Sequence, residues 1–185
     1  MCIIMRIIGG RWKGKPLISP QGSDIRPTSD RTREALFNLL MHMADNPVTD
    51  QRVMDLCCGS GALGLEALSR GAAHCTFVDN AGASLKLTQQ NIGQLGAGRY
   101  AKTLQANASA LPAAPEPVSL VITDPPYQHP SLPGVAFERL REKGWLIAGG
   151  YFSLEQSAKA GAPILPHTDI IKQRRYGRSV ITLYQ

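Results

Sequence analysis

With 185 residues and a formal net charge of +6, the chain is long enough to bury a core without disulfides or metals and too short for two full domains. No uninterrupted apolar run reaches membrane-spanning length, and the opening Met1 to Ile8 carries Arg6 without a cleavage pattern, so the expectation is a soluble, cytoplasmic, unexported protein. Cys2, Cys57, Cys58 and Cys75 form no CxxC pair, and His42, His74, His129 and His167 no HxH or HExxH spacing, so reduced thiols and no metal are expected.

Along the chain, Met5 to Ile18 reads as short strands broken by Gly9, Gly10 and Gly14. Arg26-Pro27-Thr28-Ser29-Asp30 is a turn and helix-start signal, and Ala35, Leu36, Leu39, Leu40 and Met43 follow at helical spacing. From Arg52 strand-like and helix-like segments alternate: Arg52 to Leu56, Gly61 to Arg70, Cys75 to Asp79, Ala83 to Leu95, Tyr100 to Leu104, Val118 to Thr123, Pro133 to Arg141. That rhythm predicts a parallel sheet with crossover helices. Trp145 to Ala148, Tyr151 to Glu155, Asp169 to Lys172 and Ser179 to Leu183 read as four further strands with short connections, so the sheet should be mixed and end in an antiparallel hairpin.

Charge is uneven. Met1 to Arg33 holds seven basic residues (Arg6, Arg11, Lys13, Lys15, Arg26, Arg31, Arg33) against two acids, and Lys172, Arg174, Arg175 and Arg178 form a second cluster. Such patches suit a polyanion whose counterions are released on contact, and equally suit a surface that only solubilises.

Two segments carry chemistry. Asp55-Leu56-Cys57-Cys58-Gly59-Ser60-Gly61-Ala62-Leu63-Gly64 follows a strand and opens a helix, where an open parallel sheet leaves its crevice. Read literally, Gly59 to Gly64 is GxGxxG, which admits a nicotinamide or flavin dinucleotide. Asp55 argues otherwise: an anionic pyrophosphate would meet an uncompensated carboxylate, whereas S-adenosylmethionine brings an ammonium and a sulfonium that a carboxylate can hold directly or through water. Asp79, ending the next strand, is positioned for ribose hydroxyls in either case.

The second segment, Asp124-Pro125-Pro126-Tyr127, ends an apolar strand. Two prolines cannot donate to a ladder, so the chain leaves the sheet in a stiff turn. Asp124 can accept a hydrogen bond from an exocyclic base amine and stabilise the positive charge that develops as it attacks a methyl group. Tyr127 can stack on a flipped or unpaired base, worth about 1–3 kcal/mol.

These residues resemble a known family. Met5-Arg6-Ile7-Ile8-Gly9-Gly10, then Arg26-Pro27-Thr28 with Asp30-Arg31 and Arg33-Glu34-Ala35-Leu36-Phe37-Asn38, then Gly59 to Gly71, Asp124 to Tyr127 and Tyr176-Gly177 are similar to the RsmD family of bacterial 16S rRNA guanine-N2 methyltransferases. The resemblance spans nearly the whole chain. It implies an α/β, Rossmann-like class I methyltransferase fold: a mostly parallel seven-stranded sheet, an antiparallel C-terminal hairpin and a short N-terminal β/α extension. The expected organisation is one domain over 1–185, with a basic extension and helix over 1–45 and the catalytic core over 50–185. It implies S-adenosylmethionine as donor and ribosomal RNA or an assembling small subunit as partner; a monomer is the expected state.

The resemblance further implies a cofactor site built from Asp55, Cys57, Gly59, Ser60, Gly61, Asp79, Asn80, Asn107, Ala108 and Asp124, and Asp124, Pro125, Pro126 and Tyr127 as the catalytic turn. Arg11, Lys13, Arg26, Thr28, Arg31 and Arg33 would face RNA, although Arg31 and Arg33 could instead pair with Asp30 or Glu34 on a helix surface. The chain departs from the family's usual residues at Cys57-Cys58, Asp79-Asn80 and Asn107, and the amide of Asn107 can either accept from or donate to an adenine edge. Adenine-N6 methylation, a dinucleotide-dependent oxidoreductase and a non-catalytic RNA-binding module are the alternatives.

Overall fold

A computed structural model describes residues 5–19, 30–126 and 128–185; Arg26, Thr28 and Tyr127, named above as site residues, lie outside them. Seven strands form one sheet: β1 (Arg52–Leu56), β2 (His74–Asp79), β3 (Ala101–Gln105), β4 (Val118–Thr123), β5 (Leu146–Ser157), β6 (Ile170–Tyr176) and β7 (Ser179–Tyr184), in the order β3-β2-β1-β4-β5-β7-β6. The pairs from β3 through β5 are parallel, and β7 runs antiparallel to both β5 and β6. This is the mixed sheet with a C-terminal hairpin that the segment pattern predicts. β4 is buried along its whole length and β1 from Val53 to Leu56, as befits strands covered on both faces.

Four helices, α1 (Asp30–Met41), α2 (Ala62–Ser69), α3 (Gly82–Gln94) and α4 (Leu132–Glu142), cover the sheet. The first three share one core with Val53, Leu120, Ile122 and Ile181. On the other face α4 packs with Met54, Leu56, Val121 and Phe152. All eight residues of α2 are buried, because the segment from Met5 to Leu17 lies over its outer side. Two close approaches demand glycine. A Cβ on Gly64 would stand 2.4 Å from Phe77 Cε1, and one on Gly10 would stand 1.9 Å from the Ser69 carbonyl oxygen.

Three readings change in detail. Trp145 to Ala148 and Tyr151 to Glu155 are parts of the single strand β5, whose register against β4 shifts between Val118 and Leu120. Gly149, at φ +70, absorbs that irregularity without breaking the strand. The opening segment contributes one bridge, Arg6 to Pro16, around a short 3-10 turn at Gly10–Trp12. Finally, α1 buries Thr32, Arg33, Leu36, Phe37 and Leu40 rather than the stripe through Ala35 and Leu39, because Arg33 is drawn inward by acceptors described below.

Candidate active site

At the carboxyl edge of the sheet, between β1 and β4, successive connections turn to opposite faces, which is where open α/β sheets leave a ligand crevice. A cavity of about 560 Å³ opens there, within the range of small-molecule sites. β1 and β4 are neighbours in register, Leu56 beside Thr123, so the glycine loop and the Asp124 turn emerge side by side. Cys57, Gly59, Asp79 and Asn80 line one part of the wall, Asn107 and Ala108 another, and Asp124, Pro125 and Pro126 the rest.

The glycine loop is held from every side. Gly59 donates its N–H to Asp79 Oδ2 at 2.9 Å, and its carbonyl accepts from Thr88 Oγ1 at 2.9 Å. The Ser60 carbonyl accepts from Asn91 Nδ2 at 2.9 Å. Cys57, Gly59 and Gly61 all have positive φ (62, 55 and 77), so the loop coils tightly into α2. A Cβ on Gly59 would meet nothing within 4 Å; the residue contributes bare backbone to the cavity wall. Ser60 and Gly61 are not on that wall: the Ser60 hydroxyl turns to Met5 Sδ at 3.4 Å, and a Cβ on Gly61 would press on Thr88 at 2.8 Å.

Asp55, expected to hold the cofactor directly or through water, points away from the cavity. It is 1% exposed and off the cavity wall. Its Oδ2 accepts the Gly64 N–H at 2.8 Å, satisfying one of the orphan donors in the first turn of α2. Burial raises its carboxyl to about 8, opposed by the Gly64 hydrogen bond and reinforced by Asp79 and Asp124. Among the described residues, the acids that line the cavity are Asp79 and Asp124. Asp79 also accepts the Ala81 N–H on Oδ1 at 2.9 Å, and each of its oxygens keeps a second lone pair for a hydroxyl donor.

Asn107 uses Oδ1 to accept from both the N–H and the hydroxyl of Ser109, each at 2.9 Å, so the donor side of its amide is what it can offer a ligand. Burial pushes the Cys57 thiol up to about 12, so it stays protonated at neutral pH and is no nucleophile. Gln128, His129 and Leu132 also line the cavity beyond the proline turn. Their one signal in the sequence is their place directly after the Asp124 motif.

Of the expected RNA-facing residues, the four that are described, Arg11, Lys13, Arg31 and Arg33, do not line the cavity. Arg33 is 1% exposed; its Nη2 donates to the Arg6 carbonyl at 2.7 Å and to Asp30 Oδ1 at 2.9 Å. A buried guanidinium is not presented to a polyanion, so Arg33 is corrected from an RNA contact to a helix-bracing residue. Arg31 is exposed on α1. Arg11 is exposed and lies over the rings of Trp12 at 4.1 Å and Tyr100 at 4.4 Å. Tyr100 precedes β3, so Arg11 and the nearby exposed Lys13 sit toward the amino edge of the sheet, opposite the cavity. Among the described residues no group of three or more His, Cys, Asp and Glu is placed to hold a metal, and no helix is long and apolar enough to cross a membrane.

Comparison with known proteins fits this geometry. Residues 5–185 match the family model described as conserved hypothetical protein 95. The chain is 36% identical to ribosomal RNA small subunit methyltransferase D of Escherichia coli over 98% of its length and 89% of that protein. It is 30% identical to the Haemophilus influenzae protein of the same name, covering 98% of this chain and 93% of the other. Among solved structures, yhhF of Escherichia coli superposes with a TM-score of 0.83 at 35% identity, covering 98% and 97% of the two chains. The fold is that of class I methyltransferases, and the chain belongs to the conserved hypothetical protein 95 family, the family of ribosomal RNA small subunit methyltransferase D.

Proposed function

We propose that this protein uses S-adenosylmethionine to methylate the exocyclic N2 amine of a guanine in small-subunit ribosomal RNA. The observation that carries the reading is the charge of the cavity: its described lining includes two carboxylates, Asp79 and Asp124, and no lysine or arginine. A dinucleotide pyrophosphate would find no cation there, while a donor carrying an ammonium and a sulfonium finds favourable potential. When bound, the donor supplies a methyl group activated on cationic sulfur. The names of the Escherichia coli and Haemophilus influenzae relatives support ribosomal RNA as the acceptor, and the Asp124-Pro125-Pro126-Tyr127 turn supports an exocyclic amine.

In this reading Asp79 accepts from ribose hydroxyls, and Asn107 offers its amide N–H to an acceptor on the adenine edge. The bare backbone of Gly59 allows close approach of the donor. Asp124, with backbone carbonyls of its turn, accepts hydrogen bonds from the guanine amine, aims the nitrogen and stabilises its developing positive charge. Pro125 is buried and Pro126 exposed, so the turn is anchored at one end and available at the other. Tyr127 provides the stacking ring on sequence grounds.

Asp124→Ala is the test. Methyl transfer to hypomethylated small subunits should fall by about 10²–10³ in kcat, the scale of a lost transition-state acceptor. Cofactor affinity by calorimetry should stay within a few-fold of the parent. Undiminished turnover would remove Asp124 from the chemistry.

A further inference from the structure

Beyond Ser157 the chain carries five basic residues, Lys159, Lys172, Arg174, Arg175 and Arg178, and a single acid, Asp169. The fold gathers them on the outer rim of the sheet. β6 is the last strand of the sheet and, among the described residues, is hydrogen-bonded on one side only, to β7. Its residues from Ile170 to Arg175 are all exposed, as are Lys159 and Arg178.

Direction and register decide which end of the sheet this charge occupies. β5 runs parallel to β4, β7 antiparallel to β5, and β6 antiparallel to β7, so β6 ends at the same edge as β1, β2 and β4. Thr123 is level with Leu154, Leu154 with Thr182, and Thr182 with Gln173. Arg174, Arg175 and the turn through Arg178 therefore lie past the level of Thr123, on the cavity's side of the molecule. Three strand spacings separate β6 from β4, roughly 14 Å. Arg11 and Lys13, by contrast, sit toward the opposite edge.

The side chains are suited to a polyanion. Lys172 and Arg174 are in register with Leu183 and Ile181 of the core shared by α1, α2 and α3, whereas Arg175 is in register with Val180 and points to the other face. Positive charge thus flanks the rim on both sides. Arg174 Nη1 donates to the Gln173 carbonyl at 3.1 Å and Arg175 Nε to the Gly177 carbonyl at 3.0 Å. None of the five cations takes part in an ion pair among the described residues. A strand edge this charged disfavours pairing with another strand or a second copy.

We propose that the carboxyl half of β6 and its turn to β7 form a docking rim for the phosphate backbone of the substrate RNA, holding the strand that flanks the target base. The inference rests on the reading that the acceptor is RNA. It places the main electrostatic contact of the described chain on Arg174, Arg175 and Arg178.

The test is anisotropy titration of the full chain with a short labelled single-stranded RNA across a salt series. R174Q/R175Q/R178Q should bind about tenfold more weakly at low salt, and its slope of log affinity against log salt should shrink by about 2, from ~0.7 per phosphate contact for three contacts. R174K/R175K/R178K should restore most of both, and all three proteins should melt at the same temperature and bind S-adenosylmethionine equally. Parental affinity and slope in the glutamine variant would overturn the rim, as would a lysine variant as weak as the glutamine one. Weakened binding to assembled subunits with unchanged binding to naked RNA would assign the rim to an acidic protein and also overturn it. A parental chain that binds RNA through the rim yet transfers no methyl to hypomethylated small subunits would sink the proposed function and leave the rim standing.

Discussion

Asp55 shows how one side chain can be legible in its importance while the sequence leaves its hydrogen-bond partner open. A carboxyl at the tip of β1 beside a glycine loop signals a site, but the direction of its oxygens depends on how closely α2 approaches β2, which Gly64 and Phe77 set. The result is a group 1% exposed that braces the helix start. Its raised pKa makes a prediction with a definite sign. The folded state holds the proton more tightly than the unfolded chain, so this group's contribution is fully present below pH ~4 and is lost as pH rises toward about 8. Asp55→Asn keeps an acceptor for the Gly64 N–H and removes the ionisation. In urea titrations without cofactor, its stability relative to the parent should improve steadily from pH 4 to 8, by up to about 1.4 kcal/mol per pH unit, and level off above. A pH-independent difference would refute the assignment. Arg33 is the complementary case: a basic residue in a basic run reads as surface, yet it turns inward to acceptors on Arg6 and Asp30. Burial lowers its pKa, with Glu66 and Asp30 acting against the shift.

Among elements, the strands and crossover helices from Arg52 to Arg141 were readable because their apolar periods are regular and their boundaries carry glycine, proline or charge. The Gly9-Gly10 block was recognisable as a motif without its reason being apparent. The reason is Glu66, fully buried on α2, which accepts the N–H groups of Ile8 and Gly9, each at 2.8 Å, and pairs with Arg70 Nε at 2.7 Å. Ser69 adds a hydrogen bond to the Gly9 carbonyl at 2.5 Å and accepts from the Trp12 N–H at 3.0 Å. The opening segment is therefore docked by backbone groups that no residue pattern could announce. Asn91 extends the arrangement, accepting the Ile18 N–H at 2.8 Å while it holds the Ser60 carbonyl, so the same helix fixes both the N-terminal segment and the glycine loop. Glu66→Gln removes the charge and, with its oxygen kept for Gly9 and Arg70, turns its NH2 toward the Ile8 N–H; it should cost about 3 kcal/mol in denaturant unfolding and speed amide exchange at Ile8 and Gly9. Unchanged exchange at those two amides would contradict the docking role.

Across the whole molecule, charge is sorted by the topology. The cavity at the carboxyl edge faces two acids, and the outer rim of the same edge carries the arginines of the last hairpin. With the proposed function and rim, a cationic small molecule and an anionic macromolecule would be drawn to adjoining places on one edge, the arrangement a methyl transfer from cofactor to RNA requires. Sequence reasoning found both ingredients but not their placement, because the register that sets Gln173 level with Thr123 runs through three ladders between segments distant in the chain. The most direct measurement is incubation of the protein with hypomethylated small ribosomal subunits and labelled S-adenosylmethionine, followed by nucleoside mass spectrometry and mapping of the modified position. The account predicts N2-methylguanosine at a single site; N6-methyladenosine, or no transferred label, would contradict it.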